Sequence, residues 1–431
     1  MALTGRAGLV ALIGVVFVAL AVPSWTGVLI VAAVVAAGVL ADLLLAGGVR
    51  RLTFTRSGAS SARLGEPAEV TLTVGNPGRT RVRGMLRDAW PPSAGAVTDR
   101  HRIAIPPGER RNVVTTLHPV RRGDRQAHRV TVRSIGPLGL AARQGSHEVP
   151  WTVRVLPPFH SRRHLPSRLA RLQQLDGRQA ARIRGQGTEF DSLREYVIGD
   201  DVRSIDWRAT ARAADVMVRT WRPERDRHLV LVLDTGRMSA GRVGDSPRLD
   251  AAMDAALLLA VLASRAGDKV DLIAYDRQVR ANVSGASATE LLPSLVNAMA
   301  PIEPSLVETN ARGMVAEVLR RTRRRSLVVL LTGLDAAPLE EGLLPILPTL
   351  TARHRLLLAA VADPRVTEMT RGRGDAEAVY DAAAAERTLG ERRHVTALLG
   401  RHGVDVVDAV PEDLPPALAD RYLALKAAGQ L

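Results

Sequence analysis

Cysteine is absent from this 431-residue chain, which excludes thiol catalysis, cysteine-ligated zinc and a disulfide framework. Aromatic residues make up only 3% of the chain, so its cores have to be built from Val, Leu, Ile and Ala. Lysine is limited to Lys269 and Lys426, and arginine supplies almost all of the positive charge behind a formal net charge of +15. Aromatic side chains that stack on bases are scarce, so we expect no nucleic-acid partner. The basic residues instead suit a cytoplasmic face beside anionic membrane lipid.

The motifs of common enzymes are also missing. The sequence has no Gly-rich loop ending in Gly-Lys-Ser/Thr, no G-x-G-x-x-G after a strand, no G-x-S-x-G and no H-E-x-x-H. Its ten histidines are scattered and mostly flanked by arginine. We therefore expect no enzyme and no small-molecule substrate; a membrane-bound hydrolase is an alternative that the missing motifs disfavour.

Two apolar runs, residues 7–22 and 27–47, open the chain on either side of a Pro-Ser-Trp-Thr break. Each is about long enough to cross a hydrocarbon core. Arg6 precedes the first run and Arg50 and Arg51 follow the second, which predicts cytoplasmic ends for both. We predict a two-helix transmembrane hairpin over residues 1–48 of a cell-membrane protein, with the soluble domains in the cytoplasm. A cleaved signal peptide is the alternative, disfavoured because a second apolar run follows at once. Asp42 is expected to snorkel towards the interface.

The rest of the chain divides into three parts. Residues 49–158 show short alternating strands with turn residues about every ten positions, typical of an antiparallel β-sandwich. Residues 159–226 contain a linker, a polar helix and a distinctive motif. Over residues 227–431, apolar strands alternate with helices, which predicts an α/β Rossmann-type domain with a parallel sheet. Ligands of such sheets collect at the carboxyl ends of the strands, where Asp234, Gly333 and Asp335 lie.

The distinctive motif, Tyr-x-x-Gly-Asp-Asp-x-Arg-x-Ile-Asp-Trp-x-x-x-Ala-Arg, occupies residues 196–212, here called the signature segment. Its carboxylates could serve acid/base or metal chemistry, but neighbouring arginines can pair with them. Trp207 is predicted to be a buried anchor. The segment is either a structural brace between domains or a docking surface. Its candidate interaction residues are Tyr196, Gly199, Asp200, Asp201, Arg203, Asp206, Trp207 and Arg212.

Through this motif, the Gly-Gln-Gly at 185–187 and the Gly-Pro-Leu-Gly-Leu at 136–140, the chain resembles the bacterial domain-of-unknown-function family 58. Leu138 stands where that family usually has an aromatic residue. Members of the family look like membrane-tethered von Willebrand A-like proteins, often encoded beside MoxR-type AAA+ ATPases. The resemblance therefore implies a von Willebrand A-like α/β domain and a MoxR-type AAA+ ATPase as partner.

Von Willebrand A domains typically bind a divalent cation with Asp-x-Ser-x-Ser, a later Thr and a further Asp. The matching positions here are Asp234, Gly236 and Met238, then Thr309 and Gly333. Both serines and the last Asp are missing, although Asp335 lies two residues on, so Mg²⁺ would keep only part of its octahedral shell. We expect no cofactor. A degenerate magnesium site at Asp234, Thr309 and Asp335 is the alternative.

The leading hypothesis is a membrane-anchored, non-enzymatic adaptor or scaffold. Its A-like domain would mediate a protein–protein interaction, by resemblance with a MoxR-type ATPase in a chaperone-like or complex-assembly system. The alternative is a metal-dependent adhesion-type receptor that binds an acidic side chain of its ligand through Mg²⁺.

Overall fold

The computed structural model describes residues 2–21, 23–182, 189–213, 215–222 and 227–431. The Gly-Gln-Gly element at 185–187 lies outside these described residues. The chain forms two compact units, Met1–Leu156 and Pro157–Leu431.

Two apolar helices open the first unit, after a short strand β1 (Ala2–Leu3): α1 (Gly5–Ala21) and α2 (Trp25–Leu45). Ser24 caps α2, its Oγ accepting a hydrogen bond from the Gly27 N–H. The helices pack closely at Gly14, where an added Cβ would overlap the side chain of Val31. With 21 residues, α2 is long and apolar enough to span a membrane, whereas α1, with 17, is shorter.

Two sheets that share one core complete the first unit. The larger sheet has the order β1-β9-β8-β5-β6 with β3 beside β9, and the smaller has the order β2-β4-β7. Alternate residues of β4 are buried, as expected for a strand with one face on a core. Leu72 of β4 and Leu86 of β5 meet in that core. The strands are β2 (Thr53–Gly58), β3 (Ser61–Arg63), β4 (Ala68–Gly75), β5 (Val82–Ala89), β6 (Arg100–Ile105), β7 (Arg110–Leu117), β8 (Gly123–Ile135) and β9 (Ala141–Leu156).

The second unit contains a six-stranded sheet with the order β16-β15-β12-β17-β18-β19. The five strands from β15 to β19 in this order are parallel, and β16 pairs antiparallel with β15. These strands are β12 (His228–Asp234), β15 (Lys269–Tyr275), β16 (Val279–Val283), β17 (Leu327–Leu331), β18 (Arg355–Val361) and β19 (Asp405–Ala409). Short hairpin strands are β10 (Glu189–Glu195), β11 (Met217–Arg222), β13 (Arg242–Val243) and β14 (Ser246–Pro247).

The second unit also contains helices, several of which pack on this sheet. They are α3 (Leu165–Arg182), α4 (Trp207–Thr210), α5 (Arg237–Ala240), α6 (Arg248–Arg265), α7 (Leu291–Met299), α8 (Ala311–Arg321), α9 (Ala336–Pro338), α10 (Leu347–Thr351), α11 (Pro364–Met369), α12 (Ala376–Arg401) and α13 (Leu414–Ala427). The apolar strands predicted over residues 227–431 are present as β12, β15, β17, β18 and β19. The edge strand β16 escaped prediction because its Val-Arg-Ala-Asn-Val sequence lacks a continuous apolar run.

The predicted linker is partly docked onto the C-terminal helices. Ser161 donates hydrogen bonds from its N–H and from its Oγ to the Asp254 carboxylate of α6, with an Oγ–Oδ1 distance of 2.8 Å. Burial raises the pKa of Asp254 against the effect of these bonds. On α3, Leu172 is buried and Arg168 pairs with Asp420 of α13 at 3.0 Å. The start of residues 159–226 is therefore part of the α/β unit.

Candidate functional site

The signature segment fills the connection between β10 and β11, which pair antiparallel with Leu193 opposite Arg219. The Tyr196 N–H donates to the Val216 carbonyl at 2.7 Å and continues the ladder beyond the strands. The connection contains a 3₁₀ turn, Val202–Ser204, and the single-turn helix α4. The predicted interaction residues therefore lie on one hairpin.

Two aspartates of the signature segment stabilise the first half of this connection through hydrogen bonds. Asp200 accepts a hydrogen bond from Arg194 Nη2 at 2.5 Å and one from the Val197 N–H at 2.9 Å. The Arg194 bond, supported by the backbone bond, holds the pKa of Asp200 below its usual range. Asp201 accepts from the Arg203 N–H at 3.0 Å and caps the 3₁₀ turn. Both carboxylates therefore stabilise local turns.

Asp206 fastens the second half. It caps α4 by accepting from the N–H groups of Arg208 and Ala209, both at 3.0 Å, and it pairs with Arg219 Nε of β11 at 2.8 Å. The Ala209 bond, followed by the Arg219 bond, lowers the pKa of Asp206. A carboxylate held ionised by three donors is suited to bracing the hairpin rather than to accepting a substrate proton.

The predicted burial of Trp207 is wrong: the residue is 69% exposed. It is the first residue of a single helical turn that buries none of its residues, so the indole has no core to enter. Ile198 is 97% exposed, and Val197 and Val202 are exposed as well. Gly199 follows Ile198 with φ +110°, a conformation that glycine adopts readily, and so lets the chain turn there.

Exposed arginines lie on the same connection as these apolar side chains. Arg203, Arg208 and Arg212 are exposed on the same connection, and Tyr196 is half-buried at its base. Exposed apolar residues rimmed by polar groups mark interaction surfaces. We call Val197, Ile198, Val202 and Trp207 with these arginines the signature patch. Sequence periodicity could not reveal it, because the same residues would suit a core.

The strand-end site centres on Asp234, the last residue of β12. Its Oδ1 accepts hydrogen bonds from Thr309 Oγ1 at 2.5 Å and from the Gly236 N–H at 2.8 Å, and its Oδ2 accepts one from Thr332 Oγ1 at 2.5 Å. Burial raises the pKa of Asp234 and exceeds the opposing effect of these bonds. Thr332 was not among the predicted site residues, although it directly follows the apolar run of β17.

The three predicted metal ligands have different partners. Asp234 and Thr309 are hydrogen-bonded, whereas Asp335 lies 3.8 Å from Arg248 and is half-exposed. An added Cβ at Gly236 would overlap Thr309 Oγ1, which leaves no room for the serine of a metal-binding motif. No group of three or more His, Asp or Glu residues able to hold a metal ion occurs in the described part of the chain. Hydroxyl groups donate to both oxygens of Asp234, and Asp234 with Thr309 alone would supply only a small part of the octahedral oxygen shell of Mg²⁺.

A second carboxylate lies beside Asp234 and was missed by sequence reasoning. Asp276 follows Tyr275, which pairs with Asp234 in the sheet register. It accepts from Ser305 Oγ and from Arg280 Nε, both at 2.7 Å. Burial alone would raise the pKa of Asp276, but these bonds together with backbone donors hold it below its ordinary value. Its position directly after an apolar strand was the available signal.

The hairpin and the strand ends together lie within a segment that matches a known family. Residues 192–395 match the family described as Protein of unknown function DUF58. This part of the chain belongs to the DUF58 family. The DUF58 region begins inside β10, so the signature patch and the Asp234 site are both DUF58 features.

Two relatives that match this chain are uncharacterized proteins. Uncharacterized protein Rv1480 of Mycobacterium tuberculosis is 27% identical over 197 residues, which are 45% of this chain and 61% of that protein. YeaD of Bacillus subtilis is 30% identical over 120 residues, which are 27% of this chain and 29% of that protein. The chain thus spans less than two thirds of the length of the mycobacterial relative.

Two solved structures each resemble about a quarter of the chain. The CARDB domain of the PF1109 protein from Pyrococcus furiosus, in complex with di-metal ions, is 17% identical with a TM-score of 0.19, covering 24% of this chain and 86% of that one. Native alpha-2-macroglobulin from Escherichia coli is 14% identical with a TM-score of 0.22, covering 26% and 17%.

Replacing Asp234 by asparagine tests the role of the buried carboxylate. Because its pKa is raised on folding, the folded protein binds more protons than the unfolded chain between the two pKa values, and stability falls as pH rises through that window. The asparagine side chain would keep an acceptor for Thr309 and offer an N–H to Thr332. We expect Asp234→Asn to be at least as stable as the parent protein at neutral pH and to lose this pH dependence, as measured by chemical unfolding from mildly acidic to neutral pH.

The matched variant for this experiment is Asp234→Ala, which leaves the buried hydroxyls without a partner. We expect Asp234→Ala to be destabilised by about 1–3 kcal/mol at both mildly acidic and neutral pH. A strong loss of stability in Asp234→Asn at neutral pH would instead show that the negative charge itself is needed.

Proposed function

We propose that this protein is a membrane-anchored, non-enzymatic adaptor whose DUF58 region docks a protein partner, a MoxR-type AAA+ ATPase. The observation that carries the proposal is the signature patch, where Trp207 and Ile198 are exposed on a hairpin braced by Asp200 and Asp206. The client of such a complex would be handled near the membrane, in a chaperone-like or complex-assembly role.

The composition of the patch supports docking. Tryptophan and arginine are enriched among the residues that dominate binding energy at protein interfaces. Trp207 and Ile198 offer apolar anchors, and Arg203, Arg208 and Arg212 are exposed on the same connection. The expected partner surface is therefore an apolar pocket with an acidic rim.

The hydrogen bonds that stabilise the hairpin also support the docking proposal. Binding is weakened by the cost of ordering loops and side chains, and a surface ordered in advance avoids much of that cost. Asp206 fixes α4 from two backbone N–H groups and ties it to Arg219 on β11. The hairpin thus holds Trp207 in place before any partner arrives.

Membrane anchoring is the second part of the proposal. We infer that α1 and α2 cross the bilayer together as a hairpin, supported by their packing at Gly14 and by the length of α2. Arg6 at one end and Arg50 and Arg51 at the other favour the cytoplasm for both ends. The soluble domains would then lie where a cytoplasmic ATPase can reach them.

The α/β unit is inferred to be von Willebrand A-like. Its parallel strands with one antiparallel edge strand, β16, and an aspartate at the end of β12 support this inference. The hydrogen bonds from Thr309 and Thr332 to Asp234 favour an adaptor over a receptor that binds ligands through Mg²⁺.

Binding to purified MoxR-type ATPase, measured by biolayer interferometry on the full chain in detergent, tests the docking proposal. Trp207→Ala and Ile198→Ser should each weaken binding by at least about tenfold, since hot-spot truncations cost about 2 kcal/mol or more. Stability should hardly change, because both side chains are exposed in the free protein.

Tyr380→Ala is the matched control. Tyr380 is an exposed aromatic residue of α12 in the same unit, and its loss should leave affinity for the ATPase unchanged. An equal loss from all three variants, or no loss from Trp207→Ala, would reject the signature patch as the docking surface.

A further inference from the structure

A buried carboxylate of α2 accepts hydrogen bonds from the backbone of the sandwich. Asp42 is 0% exposed, and it accepts hydrogen bonds from the N–H groups of Leu138 at 2.7 Å, Leu140 at 2.5 Å and Ala141 at 3.0 Å. The expected snorkelling of Asp42 to the interface is therefore wrong. The donors come from residues 136–140 and the first residue of β9; we call residues 136–140 the clamp loop.

The clamp loop lies beside the apolar body of α2, not at its end. An added Cβ at Gly38 would lie 2.9 Å from Leu140 Cδ1 and 4.0 Å from Leu138 Cδ1. Gly38 precedes the end of α2 at Leu45 by about two helical turns, or about 10 Å. If α2 spans the bilayer over its whole length, which is about the thickness of a hydrocarbon core, this contact would place Leu138 at a depth occupied by lipid chains.

The N–H groups of the clamp loop are all paired within the protein or absent, as that environment requires. Lipid offers no hydrogen-bonding partners, so irregular backbone is stable there only when its polar groups are paired within the protein. Asp42 pairs the N–H groups of Leu138 and Leu140, Gly136 N–H donates to the Ala141 carbonyl, and Gly139 N–H donates to the Gly136 carbonyl. Pro137, the remaining loop residue, has no N–H.

The carbonyl groups of Gly139 and Leu140 accept hydrogen bonds from Thr4. Thr4 Oγ1 donates to the Gly139 carbonyl at 2.5 Å, and the Thr4 N–H donates to the Leu140 carbonyl at 3.0 Å. No side chain fits at Gly136, because an added Cβ would overlap the Asp42 carboxylate. The loop is therefore built around Asp42 and the start of α1.

The side chains of the loop suit the edge of a bilayer. Leu138 is 54% exposed and Pro137 is exposed beside it, so the tip presents apolar atoms outward. Arg6 lies against Gly139, and Arg143 Nε donates to the Leu43 carbonyl at 2.7 Å. Arginines with apolar stems and charged heads are favoured at the boundary between lipid chains and headgroups.

We propose that the clamp loop inserts Pro137 and Leu138 into the hydrocarbon edge of the bilayer that α2 crosses, so that the sandwich makes its own contact with lipid. This inference rests on the membrane anchoring in the proposed function. The occupant of the exposed Leu138 surface is acyl chain, because the surface is continuous with the lipid-facing side of α2.

Site-directed fluorescence tests the insertion, and the absence of native cysteine makes single labelling sites straightforward. The full chain carrying Leu138→Cys is labelled with an environment-sensitive nitrobenzoxadiazole dye and reconstituted into phosphatidylcholine/phosphatidylglycerol vesicles. Val120→Cys is the control, because Val120 is 66% exposed and precedes β8, whose other end leads into the clamp loop. We expect blue-shifted emission and several-fold stronger quenching by doxyl-labelled lipid at position 138 only.

Flotation of the same vesicles after an alkaline wash distinguishes failure of membrane anchoring from failure of clamp-loop insertion. Protein that fails to float overturns membrane anchoring and, with it, insertion of the clamp loop. Protein that floats but shows the same aqueous emission at positions 138 and 120 overturns insertion alone. Quenching at position 138 in floated protein supports both.

Discussion

Replacing Asp42 by alanine is expected to destabilise the first unit by about 3 kcal/mol or more, because buried N–H groups left without an acceptor cost about 1–3 kcal/mol each. Three such groups, those of Leu138, Leu140 and Ala141, depend on this carboxylate. For a unit of this size the loss corresponds to a melting temperature lower by about 6–12 °C. Hydrogen–deuterium exchange of β8 and β9 peptides, measured on the full chain in detergent, reports this unit separately.

Asp99→Ala is the matched control for Asp42. Asp99 pairs with Arg87 at 2.8 Å on the surface of the same unit, with both side chains partly exposed. Surface pairs contribute about 0–1 kcal/mol, so exchange in this variant should stay close to that of the parent protein. Equal protection in Asp42→Ala and Asp99→Ala would show that the clamp loop does not depend on its carboxylate.

Replacing Asp88 by alanine should be at least as damaging. Asp88 lies in the sandwich core, where it accepts hydrogen bonds from Arg56 Nη1 and Nη2 at 3.0 and 2.6 Å and from Trp90 Nε1 at 2.9 Å. The side chains of Arg56 and Asp88 are 1% and 0% exposed. Removing one partner of a buried pair leaves an uncompensated charge and costs about 3–5 kcal/mol.

A double variant distinguishes the effect of losing the ion pair from the effect of losing side-chain volume. Arg56→Met combined with Asp88→Leu removes both charges, and apolar replacement of a buried pair is often far less costly than breaking it. We expect the double variant to unfold at a higher denaturant concentration than Asp88→Ala alone, as measured by equilibrium unfolding. Trp90 still loses its acceptor, so recovery should be incomplete. A double variant less stable than the single one would mean that the guanidinium makes other essential bonds.

Features that depend on local pattern were predictable from the sequence. The strands of the α/β sheet followed from continuous apolar runs such as Leu-Val-Leu-Val-Leu in β12, and the strands of the sandwich followed from alternation. The helix break at Pro23 and the apolar length of α2 were equally local. Each of these signals is contained within one element and needs no knowledge of its neighbours.

Features that depend on distant partners were not predictable. Asp42 receives its donors from residues about a hundred positions along the chain, so a lone charge in an apolar run gave no hint of them. The exposure of Trp207 depends on a connection closed by Asp206 and Arg219, and tryptophan alone suggests burial. Thr332 became part of the Asp234 site only because β17 lies beside β12 in the sheet.

In the first unit, hydrogen bonds connect the sheets directly to both helices. Thr4 ties the start of α1 to the clamp loop, Asp42 ties α2 to the same loop, and His147 of β9 lies 2.9 Å from the Val49 carbonyl just beyond α2. These bonds oppose rotation of the sandwich relative to the two helices. A pull or twist applied to it is transmitted directly as tilt or rotation of α1 and α2, so the orientation of the sandwich and that of the helices form a single mechanical coordinate.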